Sequence, residues 1–406
     1  MTAASHLPKL DIDLSDPGAI PESAIETAVD IMRSGRLFRY GEYGGVDNHA
    51  ALLEQEFAAS LGSRFAVGLN SGGSAIYLGL KTAGVEHGDN VLVNAFTLAP
   101  VPGAIKHAGA EAVFVEIDQN YHIDLEDFAK KAKSSGAGVL LLSYMRGHVP
   151  DMDQLMAVTA EFGLTVVEDC AHTMGAGWDG TPTGRFGLSG AFSAQTFKHV
   201  NSGEGGLLVS DDEDVAAKAI LYSGSYMLYE QHTARPDMSV FERHKYDIPN
   251  CSMRMTALAA SLVRAQLPLL SDRAANWNRL YRMLGERLNA IPGVRVPVRH
   301  EKENYVASSM QFSLDGFDNL TIERFIDLCD GAGTNIKWFG RQEPRGFTST
   351  YADWGYALGR QDLPQTRNVM QGLCDMRIPL ALTEHHCDQI AEIVEGALMI
   401  AQHKAA

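Results

Sequence analysis

Between residues 64 and 210 the chain alternates short apolar runs with longer amphipathic stretches, and this alternation constrains its fold more than any other feature. RFAVGLN (64–70), NVLVNA (90–95), EAVFVEI (111–117), VLLLSY (139–144), LTVVED (164–169), GAFSAQ (190–195) and GGLLVS (205–210) are rich in β-branched or bulky residues and bounded by Gly, Asp or Asn, the texture of buried strands. Between them SAIYLGLKTAGV (74–85), LEDFAKKAKSSG (125–136) and DMDQLMAVTAEFG (151–163) carry helical spacing, with Asp151 as a cap and glycines at the ends. Strand and helix in repetition predict an α/β fold, a mostly parallel seven-stranded sheet lying between helices.

After residue 254 the texture changes. MRMTALAASLVRAQLPLLSDRAANWNRLYRMLGERLNAI is a long helical pattern interrupted around Pro268, suited to joining two domains. Residues 292–406 mix strand-like SSMQFSL (308–314) with helices over 321–333 and 385–403, which predicts a small α+β domain. A chain of 406 residues exceeds what one core supports, so we expect an N-terminal arm and large domain over 1–265 and a linker helix with a small domain over 266–406. The polar and aromatic segment 223–248 reads as a loop.

A net charge of −16 argues against a nucleic-acid footprint, which needs a basic face. The start, MTAASHLPKLDIDL, lacks the pattern of a secretory signal, and no run of about 18 apolar residues occurs, so a cytoplasmic protein without a membrane span is expected. Five scattered cysteines form no CxxC pair, and neither a disulfide framework nor a metal site is expected.

Three segments concentrate chemistry. In LNSGGSAIYLGL (69–80) a strand runs through Ser71, Gly72, Gly73 and Ser74 into a helix, whose exposed N–H groups and dipole suit a phosphate. In VVEDCAHTMGAG (166–177) Asp169 ends a strand at the carboxyl edge of the sheet, where a buried carboxylate needs a cation such as a protonated pyridine nitrogen. In GAFSAQTFKHVNSGEGGLLVS (190–210) Lys198 lies between two strand-like runs, where an ammonium is costly; a Schiff base to an aldehyde cofactor removes that cost and requires a lysine rather than an arginine. Ser193 offers a further hydroxyl for phosphate. Taken singly, each residue has an ordinary explanation: a helix cap for Asp169, turn serines, a satisfied histidine for His172. Their joint spacing is what singles them out.

That spacing of S-G-x-x-A, E-D-x-A-H, F-S-x-x-x-x-K and G-E-G-G resembles the DegT/DnrJ/StrS sugar aminotransferase family of fold type I pyridoxal 5'-phosphate (PLP) enzymes. SGRLFRYG (34–41), YMRGHVPDMD (144–153) and RMTALAASLVRAQL (254–267) extend the resemblance over residues 30–270, and IPLALTEHHCDQIAEIV (378–394) follows it more loosely. The resemblance implies an aspartate-aminotransferase-like large domain, with Lys198 carrying PLP and later moving a proton. It places Asp169 on the pyridine nitrogen and His172 near the 3′ oxygen, with Gly72, Gly73 and Ser193 on the phosphate. Arg254 matches the family's N-x-R-M motif, whose asparagine reaches the partner subunit's cofactor, so a homodimer with its active site at the interface is implied. The implied activity moves an amino group from glutamate or glutamine to a keto sugar, often nucleotide-linked, in two half-reactions. A cyclitol or amino-hydroxybenzoate-type carbocyclic acceptor is the alternative.

The chain departs from the family at three places. Gly73 stands for the usual Thr, with Ser71 or Ser74 as replacements; Leu98 stands for the usual stacking ring, with Phe96 as the nearest aromatic; Ser252 stands for the motif asparagine, with Asn250 two residues off register. Sugar dehydratases of the family carry histidine in place of the lysine, and Lys198 argues against that chemistry. Together with Asp169 it also argues against a non-catalytic regulator that merely binds PLP or a sugar.

Overall fold

The computed structural model describes residues 7–40, 48–357 and 361–403, and in it the seven apolar runs pair into one sheet. The first six residues of the N-terminal arm and Gly41, the last residue of SGRLFRYG, lie outside the described residues. Two helices precede the sheet, α1 (Glu22–Ser34) and α2 (His49–Leu61), the second capped by the Asn48 side chain and stopped at Gly62 in the left-handed region. Then follow β1 (Phe65–Leu69), α3 (Gly72–Thr82), β2 (Asn90–Asn94), α4 (Pro100–His107), β3 (Glu111–Val115), α5 (Leu125–Ser134), β4 (Val139–Ser143), α6 (Met152–Phe162), β5 (Thr165–Asp169), β6 (Ser189–Ser193), β7 (Gly206–Ser210) and α7 (Glu213–Ser223). Asp124, Asp151 and Asp212 each accept backbone N–H bonds at the start of α5, α6 and α7, so acidic caps set three of the helix starts.

The strand order is β1-β7-β6-β5-β4-β2-β3, and β7 alone runs against its neighbours. Alternation along the strands buries both faces. Leu92, Leu140, Val166 and Leu207 enter one apolar cluster, while the next residues, Val93, Leu141, Val167 and Leu208, enter another on the opposite face. Near-continuous apolar runs were therefore the correct sign of strands covered on both sides.

The long helical pattern after 254 becomes α8 (Ala257–Gln266) and α9 (Leu270–Asn289), separated by a 3₁₀ turn over Leu267–Leu269 that holds Pro268. Beyond it β8 (Val294–Arg295), β9 (Ser309–Leu314), β10 (Lys337–Trp338) and β11 (Leu373–Arg377) form an antiparallel sheet in the order β8-β9-β11-β10. It packs with α9, α10 (Asn319–Ala332) and α12 (Glu384–His403) around a third apolar cluster; α11 (Pro364–Gln371) leads into β11.

Two features depart from the sequence reading. Phe339, Tyr351, Trp354 and Leu363, all beyond residue 292, pack into the core of the large sheet, so the C-terminal part is not self-contained. Segment 223–248 holds a 3₁₀ turn (Tyr229–Gln231) and a short helix (Met238–Glu242), and it buries Phe241 and His232. His232 Nε2 lies 2.8 Å from Glu54 Oε2, and Glu54 receives both terminal nitrogens of Arg39 at 2.8 Å, a fully buried charged cluster that pins the segment to α2. Among the described residues no helix is long and apolar enough to cross a membrane.

Candidate active site

The end of β5 turns two neighbouring carboxylates to opposite faces. Glu168, fully buried, accepts from Tyr144 Oη and from the N–H groups of Gly184, Phe186 and Gly187, all within 2.8 Å, and is a structural tie. Asp169 faces a cavity of about 410 Å³ at the carboxyl edge of the sheet. The β4/β5 register sets Ser143 beside it, so Ser143 Oγ donates to Asp169 Oδ2 at 2.7 Å; Ala171 N donates to Oδ1 at 3.1 Å. Burial pushes the Asp169 carboxyl up, and these two donors and Lys198 only partly hold it down.

The opposite wall is the β1–α3 turn. Ser71 caps α3 by accepting the Ser74 N–H at 3.0 Å and, like Gly72 and Gly73, lines the cavity. Gly72 has no room for a side chain, because a Cβ there would stand 2.7 Å from Ser193 Cβ. Gly206 is as constrained, since its Cβ would stand 2.3 Å from the Ser71 carbonyl oxygen. Two glycines thus let β6, β7 and the first turn of α3 close around one spot, with the N-terminal end of α3 and the Ser193 hydroxyl there. At Gly73 a Cβ would meet only Ser71 Oγ at 3.8 Å, so the family's threonine would fit.

Lys198 lies in the turn after β6 and reaches back into the cavity, its Nζ 2.7 Å from Nε2 of His172. Burial, with help from the Arg146 and Arg377 charges and against the pull of Asp169, lowers the amine to about 7. Burial and the Lys198 charge drive His172 well below the usual histidine range, so it is neutral. A weakly basic amine, a buried carboxylate on which Lys198 is the one acting cation among the described residues, and an N–H-rich glycine turn fit the aldehyde, pyridinium and phosphate of PLP.

The structure brings Lys198, Asp169, His172, Gly72, Gly73 and Ser193 to one cavity. It places Ser74 outside the lining, with its Oγ donating to Asn70 at 2.7 Å. Arg254 and Asn250 meet elsewhere, around Gly224: Arg254 Nη1 donates to the Gly224 carbonyl at 2.8 Å, and Asn250 Oδ1 accepts from Ser252 N at 3.0 Å. Leu98 lines the cavity, whereas Phe96 is buried edge-on against Phe339 at 5.3 Å. Tyr144 and His148 bond to Glu168 and Gln311, away from the cavity. Sequence reading passed over Ser143 and two arginines, Arg146 and Arg377, that line a smaller adjoining cavity of about 50 Å³ with Lys198 and His172. The end of a strand was the available signal for Ser143 and Arg377.

A half-buried lysine and a strand-end carboxylate facing one glycine-cradled hollow, on a sheet with this order, define the class of fold type I PLP enzymes. The chain belongs to the DegT/DnrJ/EryC1/StrS aminotransferase family, whose model matches residues 19–395, and is accordingly a PLP-dependent aminotransferase. It is 33% identical over 283 residues to 3-amino-5-hydroxybenzoate synthase of Amycolatopsis mediterranei, covering 68% of this chain and 69% of that protein. It is 28% identical over 271 residues to L-glutamine:scyllo-inosose aminotransferase of Streptomyces griseus, covering 66% of this chain and 63% of that one. The crystal structure of a 3-amino-5-hydroxybenzoic acid synthase superposes with a TM-score of 0.82 at 25% identity, covering 97% of this chain and 100% of that one.

Proposed function

We propose that the protein moves an amino group from glutamate or glutamine to a keto sugar, with Lys198 as the residue that carries PLP and shuttles the proton. The observation that carries this reading is the Lys198 amine 2.7 Å from a neutral His172, in one cavity with Asp169. PLP supplies a carbonyl that accepts an amine and a ring that stores an electron pair. Everything else falls to the chain. Lys198, at about 7, has a substantial free-base fraction at neutral pH, where an ordinary lysine has almost none, and is both nucleophile and proton carrier. His172 holds that amine in place through Nε2. Asp169, oriented by Ser143 and Ala171, presents a fixed carboxylate to the ring nitrogen. Gly72, Gly73, Ser71 and Ser193 would hold the phosphate, and Leu98 supplies an apolar wall.

A carbocyclic keto acceptor is the second reading, favoured by the two relatives described above, one named for 3-amino-5-hydroxybenzoate and the other for scyllo-inosose. We propose further that the protein works as a homodimer. The exposed Tyr226, whose ring lies 5.3 Å from the Arg254 guanidinium, and the exposed Met227 supply an apolar surface for a second copy beside the Arg254–Asn250 corner. The linker helix beginning near residue 266 is read as the boundary between the two domains.

The test is a donor and acceptor screen on purified protein, following the cofactor absorbance through each half-reaction. Glutamate or glutamine is expected to bleach the band, and a keto sugar or carbocyclic ketone to restore it. A wild-type protein that stays colourless with excess PLP overturns the reading.

A further inference from the structure

Arg146 and His148 leave one tight turn after β4 and take hold of the same pair of residues in the small sheet. The turn sets Arg146 at φ 57° and Gly147 at φ 80°, and a Cβ on Gly147 would stand 3.1 Å from the carbonyl oxygens of His172 and Val306. Unlike glycine, Arg146 adopts its left-handed conformation at a cost of about 1 kcal/mol or more. In β9 and β11 Gln311 and Asp375 are paired across the strands, and both are buried. Gln311 Nε2 donates to Asp375 Oδ1 at 2.6 Å and to Ser309 Oγ at 2.8 Å, which turns its amide oxygen to His148 Nε2 at 2.9 Å. Asp375 Oδ2 meets Arg146 Nη2 at 2.9 Å, so the chain Arg146–Asp375–Gln311–His148 closes on the turn where it began. The guanidinium also lies over the Phe347 ring at 4.5 Å.

A buried ion pair of this kind adds little net stability, but it fixes where a charge stands. Arg146 lines the smaller cavity with Lys198 and His172, whereas Asp375 is not among the residues that line it. The cationic partner of the pair is thus the one beside the lysine. The other charged or titratable groups around Lys198 are Asp169 and His172 from the end of β5, Arg377 from β11, His199 next in the chain, Asp16 of the N-terminal arm and Glu204 in the larger cavity. After burial, the Arg146 charge does most to lower the amine, ahead of Asp169, which raises it, and of Arg377.

We propose that Arg146 is a positioning residue that acts through Lys198: a positive charge locked at the cavity wall by Asp375, Gln311 and His148, which opposes protonation of the lysine whenever its amine is free. The proposal rests on the reading of Lys198 as the reacting amine. A lysine that must take up a proton or bond to a carbonyl has to be neutral first, and a fixed like charge favours that form. The lock matters because a loose arginine side chain would turn its charge to water. An arginine tied at its carboxylate and at a ring cannot.

Competitive acetylation of the full-length apoprotein with limiting acetic anhydride, read at the Lys198 peptide by mass spectrometry, titrates this amine without cofactor or substrate. The wild-type midpoint is expected at about 7. Arg146→Gln is expected to raise it by roughly one unit, while Arg146→Lys, which keeps the charge, stays close to the wild type. Arg146→Gln strands the buried Asp375, so the pair is also removed as a whole in Arg146→Met/Asp375→Leu, where the same rise is expected. Gln311→Met cuts the link to His148 and is expected to give part of the rise. A midpoint that is unchanged in Arg146→Gln and in the double variant, or that already lies near the ordinary lysine value of about 10.4 in the wild type, overturns the proposal. An unchanged midpoint in Gln311→Met overturns the lock. PLP uptake by the same samples keeps the two readings apart. A wild type that titrates as expected yet never takes up PLP sinks the function proposed above, while the effect of Arg146 on the amine stands.

Discussion

Ser143 Oγ and Asp169 Oδ2 lie 2.7 Å apart because β4 and β5 run parallel in a register that sets these residues side by side. Thr97 Oγ1 donates in turn to Ser143 Oγ at 2.8 Å, which leaves the serine proton for the carboxylate. Removing one donor from a buried carboxylate costs about 1–3 kcal/mol. Ser143→Ala is therefore expected to raise the Asp169 pKa further and to lower the rate of the donor half-reaction roughly tenfold or more. A pH titration of the cofactor absorbance should shift in the variant; identical titrations would show that Asp169 needs no help from Ser143.

The Lys198 amine, brought to about 7 chiefly by burial, makes cofactor uptake pH-dependent. Only the neutral amine attacks an aldehyde, so the rate at which apoprotein takes up PLP is expected to rise as pH increases through about 7 and then level off. An ordinary lysine would keep rising toward about 10.4. Stopped-flow absorbance between pH 5 and 10 distinguishes the two profiles.

Replacing Lys198 removes both nucleophile and proton carrier. Lys198→Ala is expected to lose more than about 10³-fold in transamination and to release PLP on gel filtration, while its circular dichroism stays that of the wild type. Retention of a borohydride-sensitive band in the variant would place the covalent bond on another residue.

The glycines of the α3 turn should respond unequally. Gly72→Ala forces a methyl to 2.7 Å from Ser193 Cβ, and overpacking of this kind costs about 1–3 kcal/mol, seen as weaker PLP binding in fluorescence titration. Gly73→Thr has space, with only Ser71 Oγ at 3.8 Å, and is expected to bind PLP at least as tightly as the wild type. Equal losses in both variants would show that the turn is not the phosphate cradle.

The Arg39–Glu54–His232 cluster gives a stability prediction. Burial alone would raise the Glu54 carboxyl, but the Arg39 and His232 charges outweigh it and bring it to about 2. A depressed acid contributes stability above its unfolded value near 4.3, and that contribution is lost as pH falls toward about 2. Glu54→Ala strands the buried Arg39 guanidinium and is expected to cost about 3–5 kcal/mol at neutral pH, read as a lower urea midpoint. An unchanged midpoint would show that water reaches Arg39.

Much of this protein is local in origin. The seven strands follow from apolar runs of the right length, the starts of α5, α6 and α7 from acidic caps, and the break between α8 and α9 from one proline. Lys198, Asp169, Gly72 and Ser193 were legible too. Asp169 and Ser193 end strands, Gly72 opens a helix and Lys198 lies in the turn after a strand, and a parallel sheet gathers such positions along one edge whatever its strand order.

What the sequence could not determine depends on which strands become neighbours. Ser143 meets Asp169 only because β4 lies beside β5, and Arg377 reaches the lysine only because the small sheet folds back over the large one. Phe96 turns into the core while Leu98 takes the cavity wall, and Arg254 with Asn250 closes on Gly224 rather than on the cavity. These are contacts between segments far apart in the chain, and local pattern carries no information about them. Packing, register and the exclusion of water decide them once the whole chain has collapsed.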